Sequence, residues 1–337
     1  MTVPVLTFFN NKGGVGKTSL VYHLSFMFAE LGVRVLAVDI DPQANLTAAF
    51  MDEDRLATLW DGEESVSTIF RSIKPLLDVA DFAPVDYQTI NSRLALIPGD
   101  LGLSSFEDQL SEMWIKVMAE ENKSRPFRIL TAFWRIAQDA AARFEAGLIV
   151  VDVGPNLGAI NRSALLGSNH VIVPLGADLF SLQGLRNLGP VLRNWRQGWN
   201  IRRSDWKQPG FELPEGDMIP AGYIAMRHDV RLSRPVKAYT RWLDKIPREF
   251  RGSVLNKNTE NEQLPDIAKD SYCLSMLKNY KSLIPLGQEA RKPIFALSVA
   301  DGASGSHANA AQKAYEDFKE LAQEIARRIS LRLPDSC

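Results

Sequence analysis

Asn11-Lys12-Gly13-Gly14-Val15-Gly16-Lys17-Thr18 is the stretch that decides how this chain is read. Before it runs Val3-Pro4-Val5-Leu6-Thr7-Phe8-Phe9, apolar and rich in β-branched and aromatic residues, which predicts a buried strand. After it, Leu20, Leu24, Met27, Phe28 and Leu31 keep helical spacing up to Gly32. Strand, glycine loop and helix together make a phosphate site. The glycines let backbone N–H groups close around phosphate oxygens, and the helix N-terminus adds partial positive charge. Lys17 can then reach the outer phosphates and the Thr18 hydroxyl can ligate Mg²⁺. The expected cradle is Gly13, Gly14, Val15, Gly16, Lys17, Thr18 and Ser19.

Two further apolar runs end in carboxylates. Val33–Val38 leads into Asp39-Ile40-Asp41-Pro42-Gln43-Ala44-Asn45, and Leu148-Ile149-Val150-Val151 ends in Asp152. In a parallel sheet the C-terminal ends of strands line the ligand crevice. One carboxylate of the Asp39/Asp41 pair can sit near Mg²⁺ while the other orients water, and Asp152 has the form of a strand-borne carboxylate in the metal shell. Taken alone, each aspartate could equally cap a helix.

The lysine pair at 12 and 17 around three glycines resembles the deviant Walker A loop, K-G-G-x-G-K-[ST], of the ParA/MinD ATPase family. Asp39-x-Asp41-Pro42-Gln43-x-Asn45 resembles that family's second nucleotide motif, and 148–152 its Walker B strand. The resemblance implies a doubly wound α/β fold with a mostly parallel sheet, in a single domain over 1–337 elaborated at about 51–145 and 195–280. It implies an ATPase with ATP and Mg²⁺ as cofactors, in which Lys12, Lys17 and Asp41 are catalytic. Thr18, Asp39 and Asp152 would serve the metal. Asp41 would position water, and Lys12 would reach the phosphates of a second copy in an ATP-driven homodimer. Hydrolysis would be slow and raised by a ParB-like adaptor. Two places depart from the family pattern. Gly154-Pro155-Asn156 replaces a common Asp-x-Pro-Pro run, and Ala225-Met226-Arg227 lacks the asparagine that relatives use near adenine. The segment 282–294 resembles the family's late loop, where Pro285 would wall the base.

The rest of the chain bounds the function more loosely. Its 337 residues are 45% hydrophobic and 23% charged, within the range of globular proteins. A net charge of −1 excludes a global basic field, so nucleic acid would need a local patch. Two cysteines, Cys273 and Cys337, offer no cluster spacing, which speaks against iron–sulfur relatives and for a reducing, cytoplasmic setting. No apolar run nears the ~20 residues of a membrane span. The local patch is at Arg227–Arg251, with basic residues at 227, 231, 234, 237, 241, 245, 248 and 251 against acidic ones at 229, 244 and 249. Arg227, Arg231, Arg234, Lys237, Arg241 and Lys245 are the candidate contacts to non-specific duplex DNA, the last four as a stripe on a helix bracketed by Pro235 and Pro247. An ordinary solvated face reads the same way. The Trp/Arg segment 194–207 fits nucleic-acid stacking or, more simply, a helix end whose Trp side chains cap the core under Arg stems. Helices are expected from Leu103 to about Glu121, over Phe127–Phe144 and over Ala308–Ile329, with 256–270 a polar loop.

Two functions follow from this reading. One is a DNA-binding ATPase that partitions or positions a plasmid, chromosome or protein assembly, nucleoid-associated if DNA is bound. The other is an ATP-switched regulatory or structural subunit of a multi-protein complex, without DNA.

Overall fold

The computed structural model describes residues 2–61, 68–78, 81–119, 121–207, 210–226, 241–259, 261–280 and 282–334. Within them the strands are β1 (Val5–Phe8), β2 (Val35–Asp39), β3 (Gln88–Asn91), β4 (Leu94–Ile97), β5 (Leu148–Asp152), β6 (His170–Gly176), β7 (Ile219–Met226) and β8 (Cys273–Leu277). They form one sheet in the order β3-β4-β2-β5-β1-β6-β7-β8. Every neighbouring pair is parallel except β3 with β4. This is the doubly wound α/β sheet that the resemblance implies.

The four residues of β1 and the five each of β2 and β5 are buried without a gap, because helices cover both faces of the sheet. Side chains alternate between two cores. Val5, Leu36, Val38, Ile149 and Val151 meet Leu110, Phe133, Ile160, Leu185 and Trp199 of one helical layer. Leu6, Phe8, Val35, Ala37, Leu148 and Val150 meet Leu20, Leu24, Leu46, Phe318 and Leu321 of the other. The first helix, Lys17–Glu30, therefore lies against the C-terminal helix, Ser306–Arg328, with the His23 ring stacked on Phe318 at 5.0 Å.

Several expectations need correction. The segment 127–144 is two helices, Ser124–Leu130 and Ala132–Phe144, parted at Thr131, whose hydroxyl donates back to the Phe127 carbonyl at 2.7 Å. Pro126 lies within the first turn of the former, where a missing N–H costs nothing. Pro247 likewise sits in the first turn of Ile246–Glu249 rather than at a helix end. The Trp/Arg segment belongs to one 26-residue helix, Leu179–Ser204. There Trp195 and Trp199 are buried, and Trp206 beyond it stacks on Phe127 at 4.8 Å. These rings pack the core, as the simpler reading of the segment expects. The 282–294 loop contains a helix, Ile284–Ala290, with the exposed Pro285 in its first turn. The edge strands β3 and β8 were not expected. No helix among the described residues is long and apolar enough to cross a membrane.

Candidate nucleotide site

The crevice lies at the C-terminal ends of β1, β2 and β5. Asn10, buried just past β1, fixes the start of the loop: its Nδ2 donates to the Pro174 carbonyl at 2.7 Å and its Oδ1 accepts the Lys12 amide at 3.0 Å. Gly14 and Gly16 have φ of 70° and 82°, a left-handed backbone that favours glycine. A Cβ on Gly16 would come within 3.1 Å of Met226 Cε, so the end of β7 closes against the loop where relatives are expected to place asparagine. The helix begins at Lys17, and no side chain caps its N-terminus. Gly13, Gly14 and Ser19 are exposed, Thr18 is half-buried and Val15 is buried.

Lys17 points inward and is only 7% exposed. Burial lowers the pKa of its ammonium, opposed by the charges of Asp152 and Asp41. Asp39 and Asp152 are register partners on adjacent strands, and both are fully buried. Asp39 is held by neighbours: its Oδ2 accepts the Thr47 amide at 2.8 Å and the Thr47 hydroxyl at 2.7 Å, and its Oδ1 accepts the Asp41 amide at 3.2 Å. Burial pushes its pKa up to about 7 against these bonds. Neither carboxylate oxygen of Asp152 has a hydrogen-bond partner of ordinary geometry, although the Thr18 hydroxyl lies beside it. Burial first, then the charge of Asp39, raises Asp152 to about 8, opposed by Thr18 and Lys17. Asp41 accepts the Gln43 amide at 3.0 Å, and its Oδ1 would lie 3.2 Å from a Cβ on Gly154.

Asp41 and Asp152 beside one buried lysine, with Asp39 next to both and two orphaned oxygens on Asp152, fit a hard divalent cation. No group of three or more His, Cys, Asp or Glu among the described residues forms a protein metal cage. A Mg²⁺ that takes phosphate and water oxygens needs only one or two protein ligands, so the donor set still suits it.

Lys12 has a different environment. Its side chain is 30% exposed and its Nζ meets Asp178 Oδ2 at 2.5 Å, 5.9 Å from the centre of the Phe180 ring. Asp178 also accepts the Ser181 amide at 2.9 Å, capping the helix Leu179–Ser204. Leu157, Leu179 and Phe180 are exposed apolar residues on this rim, Phe180 by 73%.

Of the basic stripe, Arg227, Arg231, Arg234 and Lys237 lie outside the described residues. Arg241 and Lys245 are exposed, both over the Trp242 ring, while Leu243 and Ile246 face inward as expected. One counted charge is neutralised internally, and a second side chain is held by carbonyls. Arg248 donates to the carbonyls of Thr259 and Glu262, and Arg251 pairs with the buried Asp270 at 2.6 Å. Sequence reasoning also missed Glu107, whose carboxylate accepts the amides that open the helix Ala159–Leu166.

The profile of the AAA domain family AAA_31 matches residues 3–202. The sporulation initiation inhibitor protein Soj of Bacillus subtilis is 31% identical over 189 residues, 56% of this chain and 64% of Soj, so the chain matches less than two thirds of that relative's length. Among solved structures, a protein from Corynebacterium diphtheriae superposes with a TM-score of 0.70 at 21% identity, covering 97% of this chain and 99% of that one. McdA from Cyanothece in complex with ATP superposes with a TM-score of 0.59 at 15% identity, covering 99% of each chain. At those identities the two structures speak for the fold. With the glycine loop, its two lysines and the strand-end aspartates in place, the chain belongs to the ParA/MinD family of P-loop ATPases.

Proposed function

We propose that the chain is an ATPase that dimerises on ATP and Mg²⁺, binds non-specific duplex DNA, and partitions or positions a plasmid, chromosome or protein assembly. The observation that carries the reading is the contrast between the two lysines. Lys17 is buried toward Asp41 and Asp152, whereas Lys12 stands on the crevice rim among exposed apolar residues, held by Asp178. A buried lysine serves the phosphates of its own chain. A rim lysine is placed to serve those of a second copy.

In this reading the amides of Gly13 to Ser19 and the Lys17 ammonium hold the phosphates. Bound Mg²⁺ would be held by Thr18 and Asp152, and would neutralise charge on the phosphate oxygens. Asp39, bound to Thr47 and to the Asp41 amide, keeps Asp41 in place, and Asp41 orients the attacking water. Lys12, released from Asp178, reaches the partner's phosphates and offsets negative charge as the bond breaks, in the manner of an arginine finger. Slow turnover raised by a ParB-like adaptor completes the cycle. Met226 and Pro285 are the apolar candidates beside the base. Arg241 and Lys245, with Arg227, Arg231, Arg234 and Lys237, supply the phosphate contacts to DNA, and dimerisation doubles their number.

The test is binding of random-sequence duplex DNA across a salt series with ATP, with ADP, and with Lys12→Ala. Salt-sensitive binding that needs ATP and Lys12 supports the reading, and absence of binding under every nucleotide removes DNA from it. The second reading, an ATP-switched subunit of a multi-protein complex without DNA, draws on Arg251, whose pairing with the buried Asp270 removes one charge from the basic patch.

A further inference from the structure

We propose that Glu107 is a positioning residue for ATP hydrolysis, through which the helical elaboration at 101–144 sets the loop after Asp152. The inference rests on the ATPase reading above. The loop, residues 153–158, runs beside the site at two points. A Cβ on Gly154 would stand 3.2 Å from Asp41 Oδ1, and one on Gly13 would stand 3.9 Å from Pro155 Cγ. Any shift of the loop is therefore felt by the water-orienting carboxylate and by the phosphate loop.

Two side chains hold that loop. Asn161, buried on the helix Ala159–Leu166, donates from Nδ2 to the Gly154 and Asn156 carbonyls, both at 2.8 Å. This bond set ties the loop only to the helix that follows it. That helix is held by Ser163, whose hydroxyl donates to the Leu130 carbonyl at 2.8 Å, and at its opening by Glu107, at the start of the helix Glu107–Ala119. Its Oε1 accepts the Ala159 amide at 2.5 Å and its Oε2 accepts the Ile160 amide at 2.9 Å. A helix opens with unpaired N–H groups and a positive dipole end, and a carboxylate from another helix answers both. Gly158 has an extended backbone, φ −77° and ψ −179°, which any residue can adopt. Yet a Cβ there would lie 2.6 Å from Glu107 Oε1, so a glycine here keeps the approach open.

The same inserted helix carries a second tie. Trp114 is stacked between Arg162, at 4.5 Å, and Arg202 of the long helix, at 3.9 Å. Glu107 and Trp114 thus clamp the helix after the loop from one scaffold. Loss of Glu107 should let the loop drift off Asp41 while the phosphate cradle, built on other elements, stays formed.

The experiment compares wild type with Glu107→Ala, Glu107→Gln, Gly158→Ala and the Glu107→Ala/Gly158→Ala double variant. It reads ATP turnover, ATP affinity and amide hydrogen exchange. In Glu107→Ala, kcat should fall by between about ten-fold and a hundred-fold, as expected for a small misplacement of a reacting group, with ATP affinity within about two-fold. Exchange should rise at 154–160 and stay unchanged in β1. Glu107→Gln, which keeps one neutral acceptor, should fall between. Gly158→Ala should slow turnover in wild type and add less to Glu107→Ala, where only the 2.9 Å approach of its Cβ to Asn156 Oδ1 remains. Unchanged kcat and exchange in Glu107→Ala overturns the proposal. So does a parallel loss of turnover, ATP affinity and β1 protection, which marks a general loss of stability. If wild type itself hydrolyses no ATP, the ATPase reading falls, and the anchoring then stands or falls on exchange at 154–160 alone.

Discussion

Replacing Asp178 with asparagine should tighten ATP-dependent dimerisation. Asp178 does two things with its two oxygens. Oδ1 accepts the Ser181 amide and caps a 26-residue helix, while Oδ2 holds Lys12 at 2.5 Å. Asparagine caps a helix about as well as aspartate, so Asp178→Asn removes the charge and keeps the cap. Burial works to raise the Asp178 pKa, but the Lys12 ammonium and the Ser181 amide outweigh it and hold it below the usual range. The pair is therefore formed at neutral pH and must open before Lys12 can reach a partner. Both side chains are about 30% exposed, which puts the pair with partly solvated ion pairs worth about 0.2–1 kcal/mol. A two-fold dimer opens two such pairs, about 0.4–2 kcal/mol, so Asp178→Asn should lower the dimer Kd by about two-fold to thirty-fold. The assay is sedimentation velocity with ATP in an Asp41→Ala background, which under the proposed role of Asp41 keeps the nucleotide uncleaved. Asp178→Ala, which also loses the cap, serves as control. An unchanged or weaker dimer in Asp178→Asn, with helix content intact, refutes the idea that Asp178 restrains Lys12.

Other predictions concern stability. His23 is fully buried, donates from Nδ1 to the Ser19 carbonyl at 2.7 Å, and has its pKa pushed down by burial to about 4. A depressed histidine pKa means that the folded state favours the neutral ring. Its contribution is complete above the unfolded value near 6.5 and is lost as pH falls toward 4, by up to about 3 kcal/mol. Urea unfolding of wild type and His23→Phe at pH 7 and pH 4 should show a loss of stability larger in wild type by about that amount, and equal losses would refute it. Arg251→Met should cost about 3–5 kcal/mol, because it leaves the buried Asp270 carboxylate with the Tyr223 hydroxyl and the Tyr272 amide but no countercharge. A urea midpoint unchanged from wild type would contradict that. Gly189→Ala should destabilise by more than 1 kcal/mol, since its Cβ would fall 1.8 Å from the Ser253 carbonyl oxygen and force the long helix off the 250–254 turn. Thermal unfolding at the wild-type temperature would show that the two elements can part freely.

How much of this was legible in the sequence depends on how local each signal is. The span Leu148–Asp152 was read with its ends in place, because a buried parallel strand is an unbroken apolar run and a strand-end carboxylate punctuates it. The glycine loop was legible because few residue types tolerate its backbone. β3 and β8 were not, being edge strands of four and five residues with mixed burial and register shifts where they pair. Nothing near Thr131 marks the break in 127–144, which lies in the backbone of a single residue, with φ −108° and ψ 6°. The contacts that shape the site most are the least visible. Lys12 finds Asp178 across 166 positions, and Glu107 finds Ala159 across 52. Such pairs leave no periodicity to read. The basic stripe shows the opposite error. Counting the charge at 251 overstated the patch, because an arginine paired with a buried carboxylate brings no net charge to a partner.

The central claim is that one chain supplies the phosphate cradle and a second supplies Lys12. Steady-state ATP turnover per chain, measured against protein concentration for wild type and Lys12→Ala, tests it most directly. The account predicts a specific activity that climbs with concentration to a plateau in wild type, and stays low and flat in Lys12→Ala although ATP still binds. A wild-type specific activity independent of concentration, down to where the protein is monomeric, would contradict it by placing every catalytic group in a single chain.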